Sequence, residues 1–228
     1  MKFIHDPIDL GYDLVANTTP LGRTYLVPGG VSYPSITTVL GVRNKEFLEK
    51  WRKEVGEKEA DRISKEASVR GEDFHLLCER YINNERNCHL KVQIASNLPN
   101  FNKIKPILDG RIETVYLQEA PLFSHHLGVA GRVDCIAQFD GQRSIIDFKT
   151  SKKTKKKEWI ENYFIQESAY AIMWEERTGL PITQLVTIIS VDNKDPQVFI
   201  EHRDNWTDEL IKTIERYKNE QHHKQELL

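Results

Sequence analysis

No stretch of this 228-residue chain approaches the roughly 18 consecutive apolar residues that a membrane helix needs. Cysteine is scarce: Cys78, Cys88 and Cys135 are odd in number and lack any CxxC spacing, which suits a reducing compartment and gives no zinc or iron–sulfur signature. No internal repeat or low-complexity segment is present. Charge of one sign does not dominate either: 32 Lys and Arg against 34 Asp and Glu leave a net charge of −2, which argues against a broadly cationic nucleic-acid coat but permits a local basic patch. The opening Met1-Lys2-Phe3-Ile4-His5-Asp6 reads as neither a signal peptide nor an Arg-rich transit sequence. The expectation is a protein without a membrane anchor that works where it is made, in bacterial or phage-infected cytoplasm. What is present, 39% hydrophobic and 29% charged residues, is the composition of a folded globular chain, slightly on the polar side.

The most informative segment runs from Gly131 to Lys149. Asp140-Gly141 stands between two runs of β-formers, a strong hairpin signal because both turn residues tolerate positive φ. A two-residue loop there pairs Phe139 with Gln142, and counting outward sets Asp134 opposite Asp147. Their Cβ atoms would then lie about 4.5–5.5 Å apart, a destabilising juxtaposition of like charges among Val133, Ile136, Ile145 and Ile146. A shared divalent cation removes the conflict; hard oxygen ligands suit Mg²⁺ or Mn²⁺, and such an ion can polarise a phosphate and lower the pKa of a bound water. Lys149, two residues beyond Asp147, projects from the same face and could meet charge on a transferring phosphate. The bland alternative is a bulge that shifts the register and turns one aspartate to solvent.

Around this hairpin the pattern is α/β. Arg23–Val27 and Val31–Tyr33 read as strands joined by Pro28-Gly29-Gly30, and Ser35 can cap a short helix over residues 36–40. Asn44 is expected to cap a second helix, followed by a long helical pattern from Glu57 to about Tyr81 with a kink or close contact at Gly71. A helix over 101–109, a strand over 114–119, a helix over 158–178, strands over 184–191 and 197–201, and a final helix from Asn205 or Thr207 to Leu228 complete the reading. The expected organisation is an extended segment and helical region over residues 1–99, ahead of a mixed core over 100–228.

Several helical residues add candidates. His75 and Glu79 stand four apart and share a helix face, where the imidazole would favour Mn²⁺; such a pair is more often simply at the surface. Gln166 and Tyr170 have the same relation and could orient a phosphate or Lys149, or be ordinary helix residues. Lysines 152, 153, 155, 156 and 157 follow the hairpin, where a phosphate backbone would pass, so Lys152 and Lys153, with Arg132, are expected DNA contacts; a solvated loop is the alternative. Trp51, flanked by Lys50, Arg52 and Lys53, is either a stacking platform for a single strand or a core tryptophan.

Read in order, Gly71-x-x-x-His75-x-x-x-Glu79, Glu119, Gly131-x-x-Asp134, Asp147-x-Lys149 and Gln166-x-x-x-Tyr170 resemble the PD-(D/E)XK nuclease superfamily in its RecB-like branch. Val133 stands where a proline is usual. Pro34-Ser35-Ile36-Thr37-Thr38-Val39-Leu40 and Ile145-Ile146-Asp147-Phe148-Lys149-Thr150-Ser151 further resemble a family of single-strand-specific DNA exonucleases. The resemblance covers roughly residues 33–218. It implies a restriction-endonuclease-like mixed sheet flanked by helices, with an N-terminal helical arch over about 44–83 through which one strand threads. It also implies Asp134, Asp147, the Phe148 carbonyl and His75 as metal ligands, Lys149 as the catalytic lysine, and Gln166 and Tyr170 as a supporting pair. Glu119 matches the glutamate upstream of the first aspartate, and Ser35 and Thr37 match positions near the strand. The implied activity is metal-dependent hydrolysis of single-stranded DNA from free ends, in replication, repair or recombination and alongside proteins of those processes. Some members of the wider branch carry a four-cysteine iron–sulfur cluster, for which this chain lacks the cysteines.

Overall fold

The computed structural model describes residues 2–226. Asp140 and Gly141 both take positive φ, 53° and 77°, the twist that a two-residue hairpin needs to follow its strands. They join β6 (Val129–Phe139) to β7 (Gln142–Ser151), paired Phe139 to Gln142 through Cys135 to Ile146, the register counted from the sequence. Arg111 clamps the turn, its Nε 3.0 Å from Asp140 Oδ1.

This hairpin is the middle of a six-stranded sheet, in the order β1 (Ile4–His5), β5 (Ile112–Ser124), β6, β7, β8 (Gln184–Val191), β9 (Gln197–His202). The β1–β5 and β7–β8 pairs are parallel and the rest antiparallel. A separate antiparallel sheet holds β2 (Val15–Thr19), β3 (Gly22–Val27) and β4 (Val31–Pro34).

Both faces of the central strands are apolar because both are covered. On one side α1 (Ile36–Val55), α4 (Glu161–Thr178) and α5 (Asp204–Glu226) bring Ile36, Ile165, Trp174 and Leu210 against Val133, Ile136 and Ile145. On the other, α2 (Glu57–Ile82) and α3 (Asn97–Arg111) bring Phe74, Leu77, Ile104 and Leu108 against Cys135, Phe139, Ile146 and Phe148. Truncating a fully buried ring such as Phe74 to alanine would cost about 3–5 kcal/mol. Among the described residues no helix is long and apolar enough to cross a membrane.

Four expectations need correction. Asn44 opens no helix: α1 runs unbroken from Ile36 to Val55, and the chain turns only at Gly56, φ 85°. An exposed Asn costs a helix only tenths of a kcal/mol, whereas a break there would release its neighbour Arg43. That guanidinium reaches Asn162 Oδ1 at 2.7 Å, Glu161 Oε2 at 3.1 Å and Glu209 Oε2 at 3.2 Å, tying α1 to α4 and α5. Gly71 lies within continuous α2 with open space where a Cβ would stand, so no close contact needs it. The strand expected over 114–119 extends to Ser124, because Leu122 and Phe123 are also buried. The helix expected from Glu158 begins at Glu161 after a 3₁₀ turn over Lys157–Trp159. The end of the last helix at 227–228 lies outside the described residues.

Candidate active site

The hairpin ladder stops one pair short of the two aspartates. In the continuing register Phe148 N–H would meet Val133; instead it donates to Asp134 Oδ2 at 3.0 Å. The cause is visible in the packing of β6. Val133 packs on the α1/α4 side and Cys135, two residues on, on the α2/α3 side, although a regular strand would set them on one face. The alternation therefore slips once, at Asp134. On the neighbouring strand, pairing holds at Gln118–Cys135 and Ala120–Val133, and the residue between, Glu119, takes φ 46°. A left-handed residue inside a strand is strained, and such strain collects at functional sites.

At the slip the Asp134 carboxylate turns to the neighbouring strand β7 and to α2. His75, on α2, lies with Nδ1 3.2 Å from Asp134 Oδ2. One ligand atom each from His75, Glu119 and Asp134 lie within 4.8 Å of one another. Asp147 is not in that trio; it follows Ile146, the last β7 residue paired with β6, on the strand face that carries Ile145 and Lys149. It is 2% exposed; the Lys149 ammonium touches Oδ2, and Oδ1 has no partner among the described residues.

The charges act on one another accordingly. Burial pushes the Asp147 carboxyl up to about 6, with Asp134 adding to the rise and Lys149 opposing it. Burial also pushes Glu119 up to about 7, the negative charge of Asp134 adding. Burial acts the same way on Asp134, but the attraction and hydrogen bond of His75, with Lys149 and the Phe148 N–H, hold it below the usual range. His75 is raised: desolvation would lower it, and the Asp134 charge outweighs that. Desolvation likewise opposes the Lys149 ammonium, and Asp147 and Asp134 together raise it.

A buried carboxylate is costly unless cations or donors answer both of its oxygens. At Asp147 the Lys149 ammonium answers Oδ2 while Oδ1 has no partner, and His75, Glu119 and Asp134 supply one nitrogen and two carboxylates close by. The set fits a hard divalent ion in a site that accepts nitrogen.

The other sequence candidates are spread around this centre. Gln166 and Tyr170 bond to each other, Nε2 to Oη at 3.2 Å, and Tyr170 packs so close to Gly131 that a Cβ there would lie 2.7 Å from Cε1. The glycine of Gly131-x-x-Asp134 thus seats the tyrosine. Glu79 is half-buried, and its backbone carbonyl accepts from Gln118 Nε2 at 3.1 Å. Ser35 is buried and capping α1: its Oγ accepts the Thr38 N–H at 3.0 Å and lies 2.9 Å from Thr37 Oγ1, while Thr37 itself is exposed. Trp51 is half-buried on α1. Arg132 is exposed and donates to the Glu119 carbonyl. Lys152 and Lys153 are exposed; Lys152, with Lys155, Lys65, Arg62 and Arg70, lines a cavity of about 820 Å³ between α2 and the end of β7. Arg62 and Arg70 are already paired, with Glu59 and Glu66 and with Asp192. Among the described residues Lys65, Lys152 and Lys155 have no carboxylate partner.

Two residues here escaped the sequence reading. Tyr163 holds its ring centroid 5.1 Å from Lys149 Nζ; its spacing of three and seven from Gln166 and Tyr170 put it on their stripe, a signal that could have found it. Glu167 is fully buried, and Thr187, the β8 partner of Asp147, donates to it. Nothing in the local pattern marks a buried glutamate.

A family model described as the PD-(D/E)XK nuclease superfamily matches residues 94–226, more than half of the chain. Over 134 residues, 54% of this chain, the sequence is 27% identical to mitochondrial genome maintenance exonuclease 1 of Mus musculus, and the match spans 38% of that protein. A crystal structure described as that of a candidate exonuclease from Eubacterium rectale aligns with a TM-score of 0.42 at 15% identity, over 61% of each chain.

Proposed function

The chain belongs to the PD-(D/E)XK nuclease superfamily, and from that premise we propose that it is a metal-dependent exonuclease that hydrolyses single-stranded DNA from free ends. The observation that carries the proposal is the opened ladder at Asp134 and Asp147, where a buried carboxylate with one unpartnered oxygen, a second carboxylate and Lys149 converge. Asp134, Asp147, His75 and the Phe148 carbonyl are the proposed holders of Mg²⁺ or Mn²⁺, with Glu119 within reach. Such an ion, when bound, neutralises phosphate charge and lowers the pKa of a coordinated water.

The remaining work falls to the chain's own groups. Hydrolysis adds water across a P–O bond, and charge develops on the non-bridging oxygens. Lys149, held charged by its acidic neighbours, meets that charge. The Gln166–Tyr170 pair keeps α4 seated on Gly131 behind it. The cavity between α2 and the end of β7 supports a strand path, since its three unpaired lysines can contact phosphates without reading sequence. Thr37, Arg132, Lys153 and Trp51 are proposed contacts outside that cavity. The reading places the protein in DNA replication, repair or recombination.

Linear and covalently closed circular single strands incubated with Mn²⁺ test the proposal. Loss of the linear strand alone is expected, and Asp147→Ala should abolish it. Degradation of circles would replace the exonuclease by an endonuclease, and unchanged cleavage by Asp147→Ala would remove the proposed centre.

A further inference from the structure

We propose that Tyr163 is a positioning residue for Lys149, its ring holding the ammonium by a cation–π contact; this rests on the reading of Lys149 given above. The Nζ lies 5.1 Å from the ring centroid, inside the distance at which an ammonium is drawn to an aromatic face. No aromatic side chain other than Tyr163 is found over the Lys149 ammonium among the described residues. The ring is itself fixed. Tyr163 sits in the first turn of α4, its N–H donating to Ile160 O at 2.8 Å, and packs against the cluster of Ile160, Phe164, Ile189 and Val191. Ile189 is the β8 partner of Lys149, so sheet and helix deliver ammonium and ring to one place.

The need for such a seat follows from Asp147. The carboxylate that touches Lys149 is also the one proposed to serve a cation. An Asp147 so engaged holds the lysine less firmly, and the ring then keeps the ammonium from swinging away on its flexible stem. Gln166 and Tyr170 do not supply that seat: Gln166 Nε2 bonds to Tyr170 Oη, and neither side chain makes a contact with the Lys149 ammonium like that of Tyr163.

The test is a double-mutant cycle in urea unfolding of the metal-free protein, with Lys149→Met, Tyr163→Leu and the pair. A cation–π contact predicts non-additivity of about twofold to thirtyfold in the unfolding equilibrium constant for the leucine cycle, and near-additivity when Tyr163→Phe, which keeps the ring, replaces the leucine variant. Additive effects in the leucine cycle, or a phenylalanine cycle as strongly coupled as the leucine one, would overturn the assignment. In a cleavage assay Tyr163→Leu should lower kcat about tenfold with KM unchanged, and Tyr163→Phe should restore it; an unaltered kcat in the leucine variant would also overturn it. Should the leucine variant not fold, Tyr163→Met serves the same cycle. A wild type that cleaves no strand would remove the proposed function while leaving the coupling measurable, so the two failures are distinguishable.

Discussion

Asp147→Asn should flatten part of the pH dependence of folding in the metal-free protein. Burial, with the Asp134 charge adding, sets the Asp147 carboxyl at about 6 in the folded chain against an ordinary 3.8. The folded state therefore keeps a proton that the unfolded state has released, and stability falls as pH rises between these two values. A separation of about two pH units corresponds to about 3 kcal/mol, lost in full above pH 6. The asparagine variant also loses the contact with Lys149, which offsets its curve without changing the shape, so the shape is the observable. His75 and Glu119 are present in both proteins and largely cancel in the difference. Urea unfolding in EDTA from pH 4 to 8 should show the variant gaining about 3 kcal/mol on the wild type across the window. Mn²⁺ at about 100 times its Kd should then return about 2.7 kcal/mol to the wild type and little to the variant. Parallel stability curves, or equal rescue by the ion, would refute the idea that a carboxylate only partly answered by Lys149 is buried here.

Three further outcomes are expected. Gly131→Ala would drive a Cβ to 2.7 Å from Tyr170 Cε1 and 2.9 Å from Oη, an overpacking worth about 1–3 kcal/mol in thermal or urea unfolding. Most of that cost should vanish in a Tyr170→Ala background, and its persistence there would contradict the packing. Burial, with Asp147 adding, holds the Glu167 carboxyl well above its usual range, so its ionisation opposes folding as pH rises; Glu167→Gln should gain stability relative to wild type at pH 8 more than at pH 5. An equal change at both pH values would count against that. Lys65→Ala and Lys152→Ala should each reduce the salt slope of single-strand binding by about 0.7, and unchanged slopes would place the strand elsewhere.

The hairpin was legible because its signals are local. Asp140-Gly141 fixes the turn, and the turn fixes the register as far as Cys135–Ile146, one pair short of Asp134 and Asp147. The mixed sheet with helices on both faces follows from the same strands being apolar on both sides. Less legible was whatever depends on distant partners. The slip at Asp134 shows only in which helices Val133 and Cys135 meet, and the left-handed Glu119 belongs to a residue type that gives no such warning. Asn44 looked like a cap because capping is read from a residue and its neighbours, while Arg43's partners lie more than a hundred residues away. The hydroxyl of Ser35, assigned near the strand by resemblance, is occupied by the helix it starts.

Binding of Mn²⁺, followed by loss of the free ion's paramagnetic resonance signal, tests the centre without depending on cleavage. The wild type should bind the ion saturably, and Asp134→Ala and Asp147→Ala, each shown to be folded, should weaken it on the order of tenfold or more, as loss of even outer-shell partners does. Folded variants that bind Mn²⁺ as tightly as the wild type would contradict the account.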